Sequence, residues 1–474
     1  MPPMVGFLER ARRPQAVAVT IVAVCALLAA YALVQMAGTK TGTAIALLTT
    51  VGPAAIYAAL VAPVTFPFSF YLALTPFDNI LDIGQFGTLT RLLGILSGAA
   101  LLFFMLSSKR FREPPRATAL WLLLFLWMAS SIFWALDVTT AEGLLLISLQ
   151  LFGLYLVTSM LTLSLPQLRI AAFGAAAGGV ASALYGLWMY ASGEGMFKQR
   201  LFVHTDTSSI NPDHFGASLL LPIAICLIAL LWSRSMLLRA GSLIGLCAMI
   251  ATVALTGSRG AELGLAFMLA YLIWRDRHRV WIACASVFAA IIVMAVAGPT
   301  SLARWSMAAQ TGGAGRASIW STGLEAFKEN WLFGAGYGSF PFAYDHAFIS
   351  TFQPDNAHWH RASHNIFLGA GVELGIIGLA LLLLAWWGQF RLLAHIPETD
   401  PRFPLRLALE GALVGLFVCG LFADIMIEKY LWLAFMLVVL THNTVRDGIY
   451  ARTATQISVE GPSRSSAVSA SSGA

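Results

Sequence analysis

The stretch Ile366–Gly388, IFLGAGVELGIIGLALLLLAWWG, holds one ionisable residue, Glu373, and is long enough to cross a bilayer as a single helix. A hydrocarbon layer about 30 Å thick takes about 20 residues at 1.5 Å per residue. The chain repeats such runs along most of its length. Those near 16–38, 89–107, 117–135, 142–163, 166–190, 214–232, 240–256, 261–274, 280–297, 366–388, 407–424 and 430–445 read as spans. Pro53, Pro63 and Pro67 interrupt a further apolar stretch, 43–76. The expectation is an all-α polytopic membrane protein with about 12 (12 or 14) transmembrane helices, according to whether 43–76 crosses twice or not at all. Composition agrees, with 58% hydrophobic and 11% charged residues, against about 25% charged in soluble domains. A soluble protein is excluded.

The connections Lys109–Arg116, Arg234–Arg239, Arg275–Arg279 and Arg391–Arg406 are rich in Arg and fall on one side when the spans alternate. Arg10, Arg12 and Arg13 join them. The positive-inside bias then places both termini in the cytoplasm. It also accounts for the net charge of +6 without nucleic acid as a partner. No small-residue cleavage site follows the first apolar run, so that run reads as an uncleaved span. The expected layout is a cytoplasmic N-terminus (1–15), a membrane domain (16–297), an outer loop (298–365), C-terminal membrane helices (366–445) and a disordered cytoplasmic tail (446–474). Cys25, Cys226, Cys247, Cys284 and Cys419 all lie in apolar runs and read as small hydrophobes. They support neither a disulfide framework nor a thiolate metal site.

Two outer connections stand out. One is Ala191–Asp213. The other, Gly298 to about Ser363, is far longer than the usual 4–6 residues. The long loop carries an amphipathic pattern at Ala317–Trp331, with Trp320, Leu324, Phe327 and Trp331 on one predicted face. It is expected to fold over the membrane domain. Around these connections gather Arg200, Arg259 in a Ser-Arg-Gly turn between two spans, Arg316, and His364 with Asn365 at the entrance to 366. For each Arg taken alone, lipid-headgroup contact or snorkelling is the alternative to a functional role. Arg259, held in a tight turn, is harder to read that way. Two guanidiniums at one interface suit a diphosphate, since each can fork onto phosphate oxygens. A lone His at a helix entrance is commonly structural, but it can act as a general base on a hydroxyl within reach.

Other patterns carry less. Gly334-Ala335-Gly336-Tyr337-Gly338 follows no strand of a βαβ unit, so it is a weak nucleotide signal. His358, His360 and His364 lack a matching carboxylate at firm spacing for a metal. Glu262, Glu373 and Glu410 lie within spans, where ionisable groups suggest function; paired structural carboxylates are the expectation for Glu262 and Glu410.

At these residues the chain resembles the O-antigen ligase and polysaccharide polymerase superfamily of membrane glycosyltransferases, over roughly residues 80–445. The matching features are the Arg200 segment with Asn211-Pro212-Asp213, Ser258-Arg259-Gly260, and Arg316 ahead of Trp320. Gly334–Gly338 and His364-Asn365 leading to Glu373-Leu374-Gly375 complete them. The resemblance implies a GT-C-like fold in the bacterial inner membrane, with a partly helical periplasmic loop over the site. It implies glycan transfer from an undecaprenyl-diphosphate donor to a sugar hydroxyl, on a lipid A core or a growing glycan. Neither cofactor nor metal is implied. By the same resemblance Arg200 and Arg259 hold the diphosphate, His364 orients or deprotonates the acceptor, Arg316 supports the loop or acceptor, and Asn365 binds substrate beside it. A small-solute transporter is the alternative, because a dozen spans is also a transporter count. A non-catalytic envelope scaffold would leave the Arg/His set unexplained.

Overall fold

The computed structural model describes residues 52–460 apart from 85–86, 109, 198–199, 311–312, 314 and 352–358, with the backbone alone described for 53–54, 299–302, 304, 308–310, 351 and 445–460. The expected span 16–38, the arginines at 10–13, Cys25, His358 and the last residues of the tail lie outside the described residues. The protein is an all-α polytopic membrane protein. Among the described residues, nine helices are long and apolar enough to cross a membrane, or ten if a bent pair forms one span.

That bent pair is α1 (Gly52–Val61, from Ala55 on) and a helical run, α2 (Val64–Ile80), made of a π-helical turn at Val64–Ser69, an α-helix at Phe70–Leu74 and a 3-10 helix at Thr75–Ile80. The two turn by 106° at their junction. The prolines thus break the stretch rather than leaving a straight span. Then come α3 (Leu89–Ser107), α4 (Arg116–Ser131), α5 (Val138–Met160) and α6 (Leu165–Ala191). A short hairpin follows, β1 (Met196–Phe197) with β2 (Arg200–Leu201). Next are α7 (Pro212–Ser218), α8 (Leu220–Trp232), α9 (Met236–Thr256), α10 (Arg259–Arg275) and α11 (Arg279–Gln310). The chain closes with α12 (Arg316–Glu329), α13 (Phe340–Thr351), α14 (Ile366–Ala394), α15 (Phe403–Gly420) and α16 (Lys429–Glu460). The expected span 261–274 is helical in α10, though at 17 residues it is short for a crossing. The helix α16 covers 430–445 and continues beyond it.

The helix α10 runs antiparallel to α15. Cys419 Sγ donates to the Gly260 carbonyl at 3.2 Å at one end, and Tyr271 Oη donates to Glu410 at 2.9 Å near the other. There Glu410 also pairs with Arg406 at 2.7 Å and approaches Arg275 at 3.9 Å. Glu410 is the paired structural carboxylate that was expected. Glu262 likewise accepts from Trp305 Nε1 at 2.9 Å.

The long connection is largely helical. The span helix α11 continues to Gln310, and α12 and α13 pack on the first turns of α14 through Ile319, Phe340, Tyr344 and Val372. The buried face of α12 is rotated from the expected one. Ile319, Thr322, Gly323 and Ala326 are buried, while Leu324 is 52% exposed and Trp331, beyond the helix end, 56%. Small residues permit close helix approach, so the contact falls on them, with Trp320 and Phe327 at its border.

Candidate active site

Asn211-Pro212-Asp213 is a helix start. Asn211 Oδ1 accepts from the Asp213 amide at 2.9 Å, Pro212 occupies the first turn, and Asp213 follows where an acidic group suits the positive helix end. This fixes the Asp213 carboxylate between two arginines. Its Oδ1 takes a bond from Arg200 Nη2 at 2.7 Å and its Oδ2 one from Arg316 Nη2 at 3.2 Å. Arg200 Nε also donates to the Thr256 carbonyl at 2.7 Å, on the last residue of α9. A cation there satisfies a free carbonyl and complements the helix dipole.

Two residues on, Arg259 opens α10. Gly257 ends α9 in the left-handed conformation and Ser258 caps α10 by accepting from Ala261 N. Arg259 Nη2 reaches the Gly313 carbonyl at 3.2 Å, just ahead of Arg316. Burial lowers the pKa of Arg316; Asp213 opposes this, and the charges of Arg259 and Arg200 add to it. The three arginines and Asp213 therefore form one electrostatic cluster.

His364 stands at the start of α14, with φ +46. A non-glycine residue in this region costs about 1–3 kcal/mol and is commonly held there for function. Burial pulls its pKa below the ordinary 6.5, and Arg316 pulls in the same direction, against a smaller opposite pull from Asp213. The ring is thus neutral near pH 7, with a lone pair to accept a proton. The preceding residue is tied to the loop, since Trp320 Nε1 donates to the Ser363 carbonyl at 3.1 Å. Asn365 caps α14: its Oδ1 accepts from Phe367 N at 2.9 Å and Leu368 N at 3.0 Å. Its oxygen is therefore engaged in holding the helix that presents His364.

The glycine motif has a structural task. The helix α14 breaks at Gly375, with φ +67, where an added Cβ would lie 2.2 Å from the Leu332 carbonyl oxygen. The Ile376 amide turns to Trp331 O at 2.8 Å, which frees carbonyls on the preceding turn. Ala335 N donates to Val372 O at 2.8 Å, Gly336 N to Glu373 O at 2.9 Å, and Trp127 Nε1 to Leu374 O at 2.9 Å. Gly334 lets the backbones approach this closely, because a Cβ there would lie 2.3 Å from the carbonyl of Glu373.

Beneath this break lies a cavity of about 230 Å³. Its polar lining is His214, Tyr337, Glu373, Asp424 and Glu428, and its walls are aliphatic. His214 Nδ1 lies 3.1 Å from Tyr430 Oη and 3.4 Å from Glu428. Burial raises the pKa of Glu428, partly offset by His214. The side-chain oxygen of Glu373 accepts from Phe340 N at 3.2 Å.

Sequence reading gave Asp213 no task of its own and did not find His214, Asp424 or Glu428. The helix-start signature was a signal for Asp213. Ala423-Asp424-Ile425-Met426-Ile427-Glu428, two acids in a short turn between spans, was one for the others.

Fold and site together define a multi-pass membrane protein with an arginine–carboxylate–histidine centre at one end of its helix bundle. Residues 244–383 match the family described as O-antigen ligase, a segment that includes Arg259, Arg316, His364 and the break at Gly375. The exopolysaccharide production protein ExoQ of Rhizobium meliloti (strain 1021) is 30% identical over 218 residues, covering 43% of this chain and 43% of that protein. The match thus spans less than half the length of either. The two matches bear out the resemblance to the O-antigen ligase and polymerase family that the motifs carry.

Proposed function

We propose that the protein transfers a glycan from an undecaprenyl-diphosphate donor to a hydroxyl of an acceptor sugar, as a ligase or polymerase of lipopolysaccharide or exopolysaccharide synthesis. The site faces the periplasm from the bacterial inner membrane. The observation that carries this reading is the convergence of Arg200, Arg259 and Arg316 beside a neutral His364.

The acceptor oxygen forms a bond to the anomeric carbon while that carbon's bond to the phosphate oxygen breaks. His364 takes the hydroxyl proton, and the bonding electrons leave with the lipid diphosphate. Negative charge grows on that leaving group, where fixed guanidiniums stabilise it without reorganising. These cations supply the charge that a metal would otherwise provide. The polar and aliphatic lining of the cavity suits a sugar ring, whose hydroxyls meet carboxylates and whose C–H faces meet hydrocarbon.

A broken helix beside a cavity is also a transporter feature. Here the carbonyls of Val372, Glu373 and Leu374 are engaged by Ala335, Gly336 and Trp127, which opposes their use for a coupling ion.

The test is glycan analysis of a strain deleted for this protein and complemented with wild type or His364→Ala. Undecaprenyl-linked glycan left unconsumed in both the deletion and the variant is expected. Long lipid-linked chains would assign a ligase, single repeat units a polymerase. Normal glycans in the deletion strain would end the transferase reading.

A further inference from the structure

We infer that Asp213 is a positioning residue that joins Arg200 and Arg316 into one diphosphate-binding face. The inference rests on the function proposed above and goes beyond it, because Asp213 touches no reacting atom.

The two arginines come from unlike places. Arg200 stands on the β2 hairpin and Arg316 at the start of α12 in the long connection, and their like charges repel. Asp213 stands on a firmer base. Its helix start is capped by Asn211 and stiffened by Pro212. The absence of a side chain at Gly216 lets α7 lie against Ala261, whose Cβ would be 2.8 Å from a Cβ at that position. The first turn of α10, which carries Arg259, is thereby referenced to Asp213 through backbone packing. One carboxylate oxygen faces each guanidinium, at 2.7 and 3.2 Å. The three side chains remain 18–22% exposed, so a ligand can approach them.

Each guanidinium has five N–H donors. The bonds named use two on Arg200 and one on Arg316, which leaves donors for phosphate oxygens. Three arginines and one aspartate sum to two positive charges, equal and opposite to a diphosphate esterified at both ends. With Asp213 neutral, the pair loses its bridge and the guanidiniums separate.

The test uses the purified full-length protein in lipid nanodiscs, as wild type, Asp213→Asn and Asp213→Glu. Transfer kinetics are measured with the lipid-diphosphate donor, and inorganic pyrophosphate binding is measured calorimetrically without any acceptor. Asp213→Asn is expected to raise the donor KM and weaken pyrophosphate binding at least about 10-fold, with the acceptor KM unchanged. Asp213→Glu, which keeps the charge, should recover most of both. A merely structural role would move both KM values together and would not be rescued by Glu. An unchanged donor KM in Asp213→Asn overturns the inference, and so does a lowered one, which would make Asp213 a competitor of the diphosphate. Should Asp213→Asn not fold, Asp213→Glu decides: a donor KM raised a few-fold with an unchanged acceptor KM supports the inference, and equal shifts in both overturn it. If the wild type transfers no glycan yet pyrophosphate binding still depends on Asp213, the proposed function fails and the positioning role stands.

Discussion

Gly336 donates its backbone N–H to the carbonyl of Glu373 at 2.9 Å, joining the glycine turn of the long connection to the broken first half of α14. The break frees carbonyls in an apolar setting, where an unpaired backbone group costs several kcal/mol. The turn supplies the donors. The segment carrying His364 is thus held from one side by its own cap and from the other by this turn.

Gly375→Ala should destabilise the protein substantially. At φ +67 and ψ −170 the residue would sit in a region essentially confined to glycine, at a cost of roughly 1–3 kcal/mol, and its Cβ would press on Leu332 O, adding roughly 1–3 kcal/mol. Thermal unfolding of the purified variant should begin well below that of the wild type. An unchanged melting temperature would show that the break is not required.

Arg259→Ala should lower transfer on the order of 100-fold, the usual effect of losing one fixed donor to developing charge. Arg259→Lys should restore only part, because an ammonium cannot fork onto two phosphate oxygens. Rates from purified variants with equal insertion check both, and full activity in Arg259→Lys would reduce the site's need to a point charge.

The pH profile of transfer follows from His364. Protonation removes the base, and burial together with Arg316 disfavours the protonated ring. The acid limb should therefore fall below 6.5, the ordinary value for His. Burial is the largest cause and Arg316 the largest of the charges that lower it, ahead of His214 and Arg361. Arg316→Gln removes that charge, so the limb of its residual activity should move to higher pH. A limb that stays in place would separate His364 from the proton transfer or from Arg316.

Glu410→Ala should destabilise by about 3–5 kcal/mol, because it leaves Arg406 buried without its partner. Replacing both, Arg406→Met with Glu410→Leu, should recover most of that loss. The pair lies near the opposite end of α10 from Arg259, about 20 Å away by helix rise. Transfer per folded molecule is the companion measurement, and a large change in it would link the two ends.

The spans were legible because a bilayer demands apolar length, a property of composition over a window. The spans expected at 142–163 and 407–424, observed as Val138–Met160 and Phe403–Gly420, needed no knowledge of neighbours to within about four residues at each end. The arginines and His364 were legible as polar groups at the ends of such windows. The face of α12 was misread because Leu324 and Trp331 look like packing residues in sequence, while the neighbouring helix takes the small ones. Asn365 was read toward substrate, and its side-chain oxygen caps α14.

By itself the sequence determined that this chain crosses a membrane many times and gathers cationic groups near particular span ends, since desolvation cost acts on each segment separately. Only tertiary structure decided that Asp213 stands between Arg200 and Arg316, that Ala335 and Gly336 satisfy the carbonyls freed at Gly375, and that His214, Asp424 and Glu428 share a cavity. Those are pairings between residues far apart in the chain. Their partners are selected by distance and unsatisfied hydrogen bonds, which exist only once the helices have packed.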